Sequence, residues 1–116
     1  MRVESTGKLL RIFIGEDDRY EGKPLFEVIV KRIRELGIAG ATVIRGIEGY
    51  GAGSVIHKLS LLDLSADLPI VIEIVDSEEK ILSIIPEIER LIEKSGGGAL
   101  ITLEKVEVIR YSPGKG

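Results

Sequence analysis

Between residues 45 and 54 the chain reads RGIEGYGAGS, which places Gly46, Gly49, Gly51 and Gly53 within eight consecutive positions around Tyr50. Glycine suits backbone that must turn through positive φ or approach a ligand closely, and it costs conformational entropy on folding. The cluster is therefore either a turn or a ligand cradle. Gly46 and Gly51 have the spacing of a P-loop pair, but Ala52 and Gly53 stand where lysine and then serine or threonine would follow. On these residues alone a turn or bulge at a strand end is the simpler account. Consecutive N–H groups in such a turn would also make an anion-binding nest. A second glycine run, SGGGA at 95–99, reads as a helix C-cap and turn, which explains one glycine better than three. It would meet phosphate through backbone N–H groups, with Lys94 the one cation beside it.

Other chemistries are poorly served. His57 is the only histidine and has no His, Asp or Glu at ligand spacing, so neither a metal site nor a catalytic dyad is expected on it. The run Glu16, Asp17, Asp18 reads as an acidic loop before a helix, because three adjacent carboxylates cannot all point at one cation. With no cysteine, no serine in a nucleophile elbow and a single histidine as base, nucleophilic catalysis lacks its parts, and no enzyme is expected. Glu73 lies mid-strand among isoleucines. It should face the open side of a sheet or pair with Arg11 or Arg110, a structural use more than acid–base work.

Composition narrows the field further. A chain of 116 residues is the size of one domain and can bury a real core. A formal net charge of −3, with 30% charged residues of both signs, offers no basic face for nucleic acid or membrane surfaces. No apolar run is long enough for a bilayer span or a signal core, so a cytoplasmic location is expected. The absence of Asn, Gln, Cys and Trp beside abundant Ile, Glu, Lys and Arg suits a hyperthermophile.

The elements that must position the glycine runs follow from periodicity. KLLRIFIG at 8–15 reads as a strand, and the polar EDDRYEGKP after it as a loop. Leu25, Ile29, Ile33 and Leu36 recur at helical spacing, with Gly37 as C-cap. GATVIRGIEG at 40–49 reads as a second strand and DLPIVIEIV at 67–75 as a third. Asp76 and Ser77 cap a second helix carrying Ile81, Ile84, Ile85, Ile88, Leu91 and Ile92, which Pro86 should bend or divide. ALITLEKVEVIRY at 99–111 is a last strand, expected to break near Glu104, and residues 112–116 form a disordered tail.

The order βαββαβ implies a ferredoxin-like α+β fold, two helices on one face of a four-stranded antiparallel sheet. Strands two and three of that fold need a hairpin of only about 2–5 residues. The connection at about 49–66 is several times longer, and SVIHKLSLLDLS within it is too apolar for an inert linker. It should pack on its own protein, extend the hairpin or meet a partner.

GKLLRIFIGEDDRYEGKPLFEVIVKRIRELGIAGATVIRGIEGYGAGSVIH, continuing through LSADLPIVIEIVDSEEKI to VEVIRY, closely resembles domain of unknown function family 190 over nearly the whole chain. That family is similar to the PII (GlnB-like) signalling proteins, ferredoxin-like trimers that bind adenine nucleotides in clefts between subunits and move a long loop to regulate transporters and enzymes. GIAGATV, Gly49–Gly51 and His57 resemble the PII stretch leading into that mobile loop, and SGGGA occupies the place of its phosphate-binding loop. The resemblance implies a homotrimer and an adenine nucleotide of the AMP, ADP or ATP class. It implies a site drawn from Thr42, Arg45, Gly49, Tyr50, Gly51, Glu73, Gly96, Gly97, Gly98 and Arg110, with Arg45 or Arg110 on phosphate. A membrane transporter or channel would be the protein partner. The chain departs from PII in having no tyrosine between Tyr50 and Tyr111 and no charge within SGGG, so neither uridylylation nor tight triphosphate binding carries over. The competing expectation is a trimeric structural or metal-tolerance protein without a nucleotide site.

Overall fold

The computed structural model describes residues 5–51, 56–58 and 67–114. Most of the 52–66 part of the long connection therefore lies outside the described residues, as do the apolar residues of SVIHKLSLLDLS other than Ile56. The elements run β1 (Ser5–Gly15), β2 (Arg19–Tyr20), β3 (Lys23–Pro24), α1 (Leu25–Glu35), β4 (Thr42–Arg45), β5 (Glu48–Gly49), β6 (His57–Lys58), β7 (Pro69–Asp76), α2 (Glu78–Ser95) and β8 (Leu100–Val108). Four of the strands make one antiparallel sheet in the order β4-β7-β1-β8. This is the ferredoxin-like arrangement that the element order implies.

Alternation decides which face the helices cover. Ile70, Ile72 and Ile74 of β7 stand opposite Ile14, Ile12 and Leu10 of β1, and all six are buried. Leu25, Ile29 and Ile33 of α1 and Ile81, Ile84, Ile88, Leu91 and Ile92 of α2 close over them. Every buried side chain among the described residues is apolar. Burial of this kind is the main stabilising contribution, about 25 cal/mol per Å² of apolar surface.

The two helices are tied by an ionic clamp. Glu87 of α2 accepts from Arg90 Nη2 at 2.7 Å and from Arg32 Nε of α1 at 3.3 Å. Arg90 first and Arg32 second hold the Glu87 carboxyl well below its ordinary 4.5, at about 2. Its folded value lies below its unfolded one, so the stabilisation is present above about pH 4.5 and is lost as pH falls towards about 2. Acid unfolding monitored by circular dichroism should show this loss in the native protein and not in Glu87→Gln. Identical acid profiles would refute the clamp.

Three expectations are corrected in detail, and one is narrowed. Of the two outcomes expected at Pro86, a bend or a division, division does not occur, since α2 is one helix of 18 residues. Pro86 is exposed, and Leu82, whose carbonyl loses its partner, is 48% exposed, so water can satisfy that oxygen. β8 runs unbroken through Glu104, because the side chain at 104 points to the open face and bonds Arg11 across β1. The polar loop after β1 contains the small hairpin β2–β3, whose turn residues Glu21 (φ 50°) and Gly22 (φ 82°) both take the positive φ that a tight two-residue turn demands. The second strand ends at Arg45 instead of running to 49. Pro69 opens β7 without an N–H, and Gly46 turns around it, donating to the Pro69 carbonyl at 2.7 Å. Beyond that turn β5 pairs with β6, Glu48 opposite Lys58 and Gly49 opposite His57, so the long connection begins by extending a hairpin.

Among the described residues no helix covers the sheet's other face. Leu9, Phe13, Val71, Val75, Ile44 and Leu100 share it by register, with Val75 43%, Ile44 45% and Leu100 57% exposed. At its centre Arg11 Nε donates to Glu73 Oε2 at 2.7 Å, and Arg11 also bonds Glu104. Glu73 thus has the structural pairing expected of it.

Candidate functional site

Antiparallel register brings the loops of interest to one end of the sheet. The C-terminus of β1, the N-terminus of β7, the C-terminus of β4 and the N-terminus of β8 all lie there, since Gly15 faces Pro69, Arg45 faces Ile70 and Phe13 faces Leu100. Gly46–Gly51 leave from the β4 edge, and Gly96–Gly98 enter at the β8 edge. Three strand spacings separate those edges, about 14 Å. Within one copy the two glycine runs share an end of the sheet but lie on opposite sides of it.

The glycines of the first run do different things. A Cβ on Gly46 would stand 2.7 Å from Pro69 Cγ, and one on Gly49 3.1 Å from the same atom, so both serve a close approach inside the chain. Gly51 meets nothing within 4 Å. Tyr50 beside it is 71% exposed. Arg45 is held by Glu16, Nε to Oε2 at 3.0 Å.

The second run divides in the same way. Gly96 takes φ 77° as the left-handed cap of α2 and donates to the Glu93 carbonyl. The Gly97 N–H is taken by Ser95 Oγ at 3.2 Å. A Cβ on Gly97 would fall 2.8 Å from the carboxylate of Asp18, while Gly98 is exposed and meets nothing. Among the described residues of the two runs, Gly51 and Gly98 are thus the two whose missing side chain no described neighbour requires. Beside the run, Ile92, Ile101 and Ala99 floor an open groove of about 540 Å³ walled by Glu89 and Glu93.

Thr42 and Glu73 are cross-strand neighbours on the open face, away from the loops. Arg110 is further still, past the far end of β8, where its Nε donates to Ser112 Oγ at 3.0 Å. The structure therefore groups Arg45, Gly49, Tyr50 and Gly51 at one edge and Gly96, Gly97 and Gly98 at the other, and it joins neither group to Arg110 within one copy.

Sequence reasoning missed the acidic brace between the runs. Asp18 Oδ2 accepts the Gly15 N–H at 3.0 Å, and Asp67 Oδ1 accepts the Asp17 N–H at 2.8 Å. Burial pushes the Asp18 carboxyl above its ordinary value against the Gly15 bond, and the charges of Asp67 and Asp17 push it further. The acidic run at 16–18 was the available signal, but its contact with Gly97 depends on tertiary structure alone. Among the described residues no three His, Cys, Asp or Glu are placed to hold a metal ion.

A family model now decides the relationship: DUF190, uncharacterized ACR, matches residues 7–108. The chain belongs to this family. A UPF0166 protein of Aquifex aeolicus is 49% identical to it over 109 residues, 94% of this chain and 98% of that one. Among solved structures, CPII of Thiomonas intermedia K12, a nitrogen regulatory PII-like protein bound to ADP, AMP and bicarbonate, is similar with a TM-score of 0.69 at 17% identity, covering 90% of each chain. A phage SAM lyase in complex with S-methyl-5′-thioadenosine is similar with a TM-score of 0.53 at 16% identity, covering 96% of this chain and 90% of that one. The fold of this DUF190 protein is thus PII-like.

Proposed function

We propose that this DUF190 protein is a PII-like regulator, not an enzyme, that binds an adenine nucleotide in clefts between copies of itself. Occupancy is reported through the 49–66 connection to a protein partner, a membrane transporter or channel by the PII resemblance, and the protein works in the cytoplasm as a homotrimer. The observation that carries the reading is the division of the glycine runs between opposite edges of one sheet end, each with an exposed glycine, Gly51 or Gly98, that no described neighbour requires. Such a site is incomplete in one copy and closes when the β4 edge of one meets the β8 edge of another. Edge pairing of this kind also protects unpaired strand edges. The two structural neighbours named above each carry an adenosine compound, which supports the ligand class. No helix among the described residues is long and apolar enough to cross a membrane. Ordering or release of the connection by different ligands would supply the signal.

Calorimetric titration with ATP, ADP, AMP and cyclic nucleotides, with light scattering for mass, tests this. Binding to a trimer at one site per cleft is expected, with thermal stabilisation of about 2.7 kcal/mol at 100 times Kd. A trimer that binds none of them is instead a scaffold without a nucleotide site, and a monomer removes the cleft altogether.

A further inference from the structure

Among the described residues, what closes on the second glycine run is acidic, apolar or already bonded. Asp18 presses its carboxylate on Gly97, and two of the three glycine N–H groups are spent on Glu93 and Ser95. Glu89 and Glu93 wall the adjoining groove over Ile92 and Ile101. The nearby cation Lys94 lies 3.8 Å from Glu21 and over the Tyr20 ring. At this end of the sheet, among the described residues, Glu16, Asp17, Asp18 and Asp67 face Arg45, paired with Glu16, and Arg19, which touches the Glu16 carbonyl at 3.4 Å, while Lys58 stands opposite Glu48 on the β5–β6 hairpin. A polyphosphate brought to this run would meet like charge with few donors left to offset it, and Coulomb repulsion between partly desolvated charges a few Å apart is large.

We propose that Asp18 is a specificity-determining residue that sets the site against phosphate charge, so that it takes an adenosine compound with at most one phosphate in preference to a di- or triphosphate. The inference rests on the nucleotide reading above and adds the ligand's charge class to it. The carboxylate has two duties that fit together. It braces the β1–β2 loop through the Gly15 N–H, and by filling the space a Cβ would take on Gly97 it puts a negative charge against the backbone on which phosphate would rest. Glycine at 97 is then required by Asp18, and the pair works as a charge filter instead of an anion cradle.

The test is calorimetry at constant ionic strength, without divalent cations, of adenosine, AMP, ADP and ATP against the native protein, Asp18→Asn and Asp67→Asn. Asparagine keeps the size and the acceptor oxygen for the Gly15 N–H, and circular dichroism checks the fold. The native protein should bind AMP about tenfold or more tightly than ATP, and Asp18→Asn should close most of that gap by strengthening ATP while leaving adenosine within about twofold. Asp67→Asn, one step removed, should act in the same direction and less strongly, and it carries the test if Asp18→Asn does not fold. ATP binding the native protein as tightly as AMP, or a ratio unchanged in the variants, overturns the charge filter while the nucleotide reading stands. Failure of all four ligands to bind any of the proteins overturns both.

Discussion

A charged residue at position 75 is expected to take the proposed trimer apart. Val75 lies on the helix-free face of the sheet opposite Leu9 and is 43% exposed in one copy, so glutamate there leaves the single copy's core untouched. The face around it is apolar except for Arg11, Glu73, Glu104 and two threonines, a composition suited to contact with another copy and costly to leave in water. If copies that meet at their β4 and β8 edges also pack through this face, Val75→Glu buries an unpaired carboxylate in each of them. That costs several kcal/mol per copy, more than about a hundredfold in the association constant. Light scattering should then report a folded monomer in place of the trimer proposed for the native protein, with unchanged far-ultraviolet circular dichroism. A Val75→Glu protein that keeps the native mass and the native dilution behaviour would place the interface elsewhere. The central Arg11 group bears on how such a face would pack, since Arg11 sits between two carboxylates that its removal would leave without a partner.

Ile72→Ala should be the most damaging single change to the core. Ile72 is fully buried, flanked in register by Val43 of β4 and Ile12 of β1, and covered by the two helices. Truncation removes buried methyl and methylene groups and leaves a cavity in the centre of the sheet, where the backbone ladders on both sides prevent collapse. The expected loss is about 2–5 kcal/mol of unfolding free energy, read from urea midpoints at fixed protein concentration with the slope unchanged. A loss below about 1 kcal/mol would mean that the layer relaxes around the gap and that the core is not tightly packed. The same truncation at exposed Leu82 should cost far less, since its side chain is already half in water.

Much of the fold was legible because its determinants are local. The alternation of Ile70, Ile72 and Ile74 with Val71, Glu73 and Val75 identifies a strand with one covered face, and Ile81 to Ile92 at helical spacing identify α2. Ser77 behaves as the N-cap its position suggests, accepting from the Lys80 N–H. Gly37 and Gly96 end their helices with positive φ. The points that differed were those where a local rule met a non-local condition. Glu104 did not break β8 because a cross-strand arginine was waiting for it, and Pro86, for which a bend or a division was expected, leaves α2 undivided with its helix face exposed. The shortening of the second strand followed from Pro69, more than twenty residues downstream of Arg45.

The candidate site divides along the same line. The sequence by itself determined that two glycine runs flank strands of a βαββαβ chain, that one of them opens an overlong connection, and that no nucleophile, thiol or basic face accompanies them. Those are properties of residue type and spacing. Only the tertiary structure decided that both runs lie at one end of the sheet on opposite edges, that Gly46 and Gly49 answer to Pro69, that Gly97 answers to Asp18, and that Arg110 stands at the far end. Each of these depends on strand order and register, which join residues tens of positions apart, and on side-chain contacts that no periodicity encodes. Gly46, Gly49 and Gly51, similar in sequence, thereby acquire different roles, because a hydrogen in place of a side chain has meaning only once its neighbours in space are known.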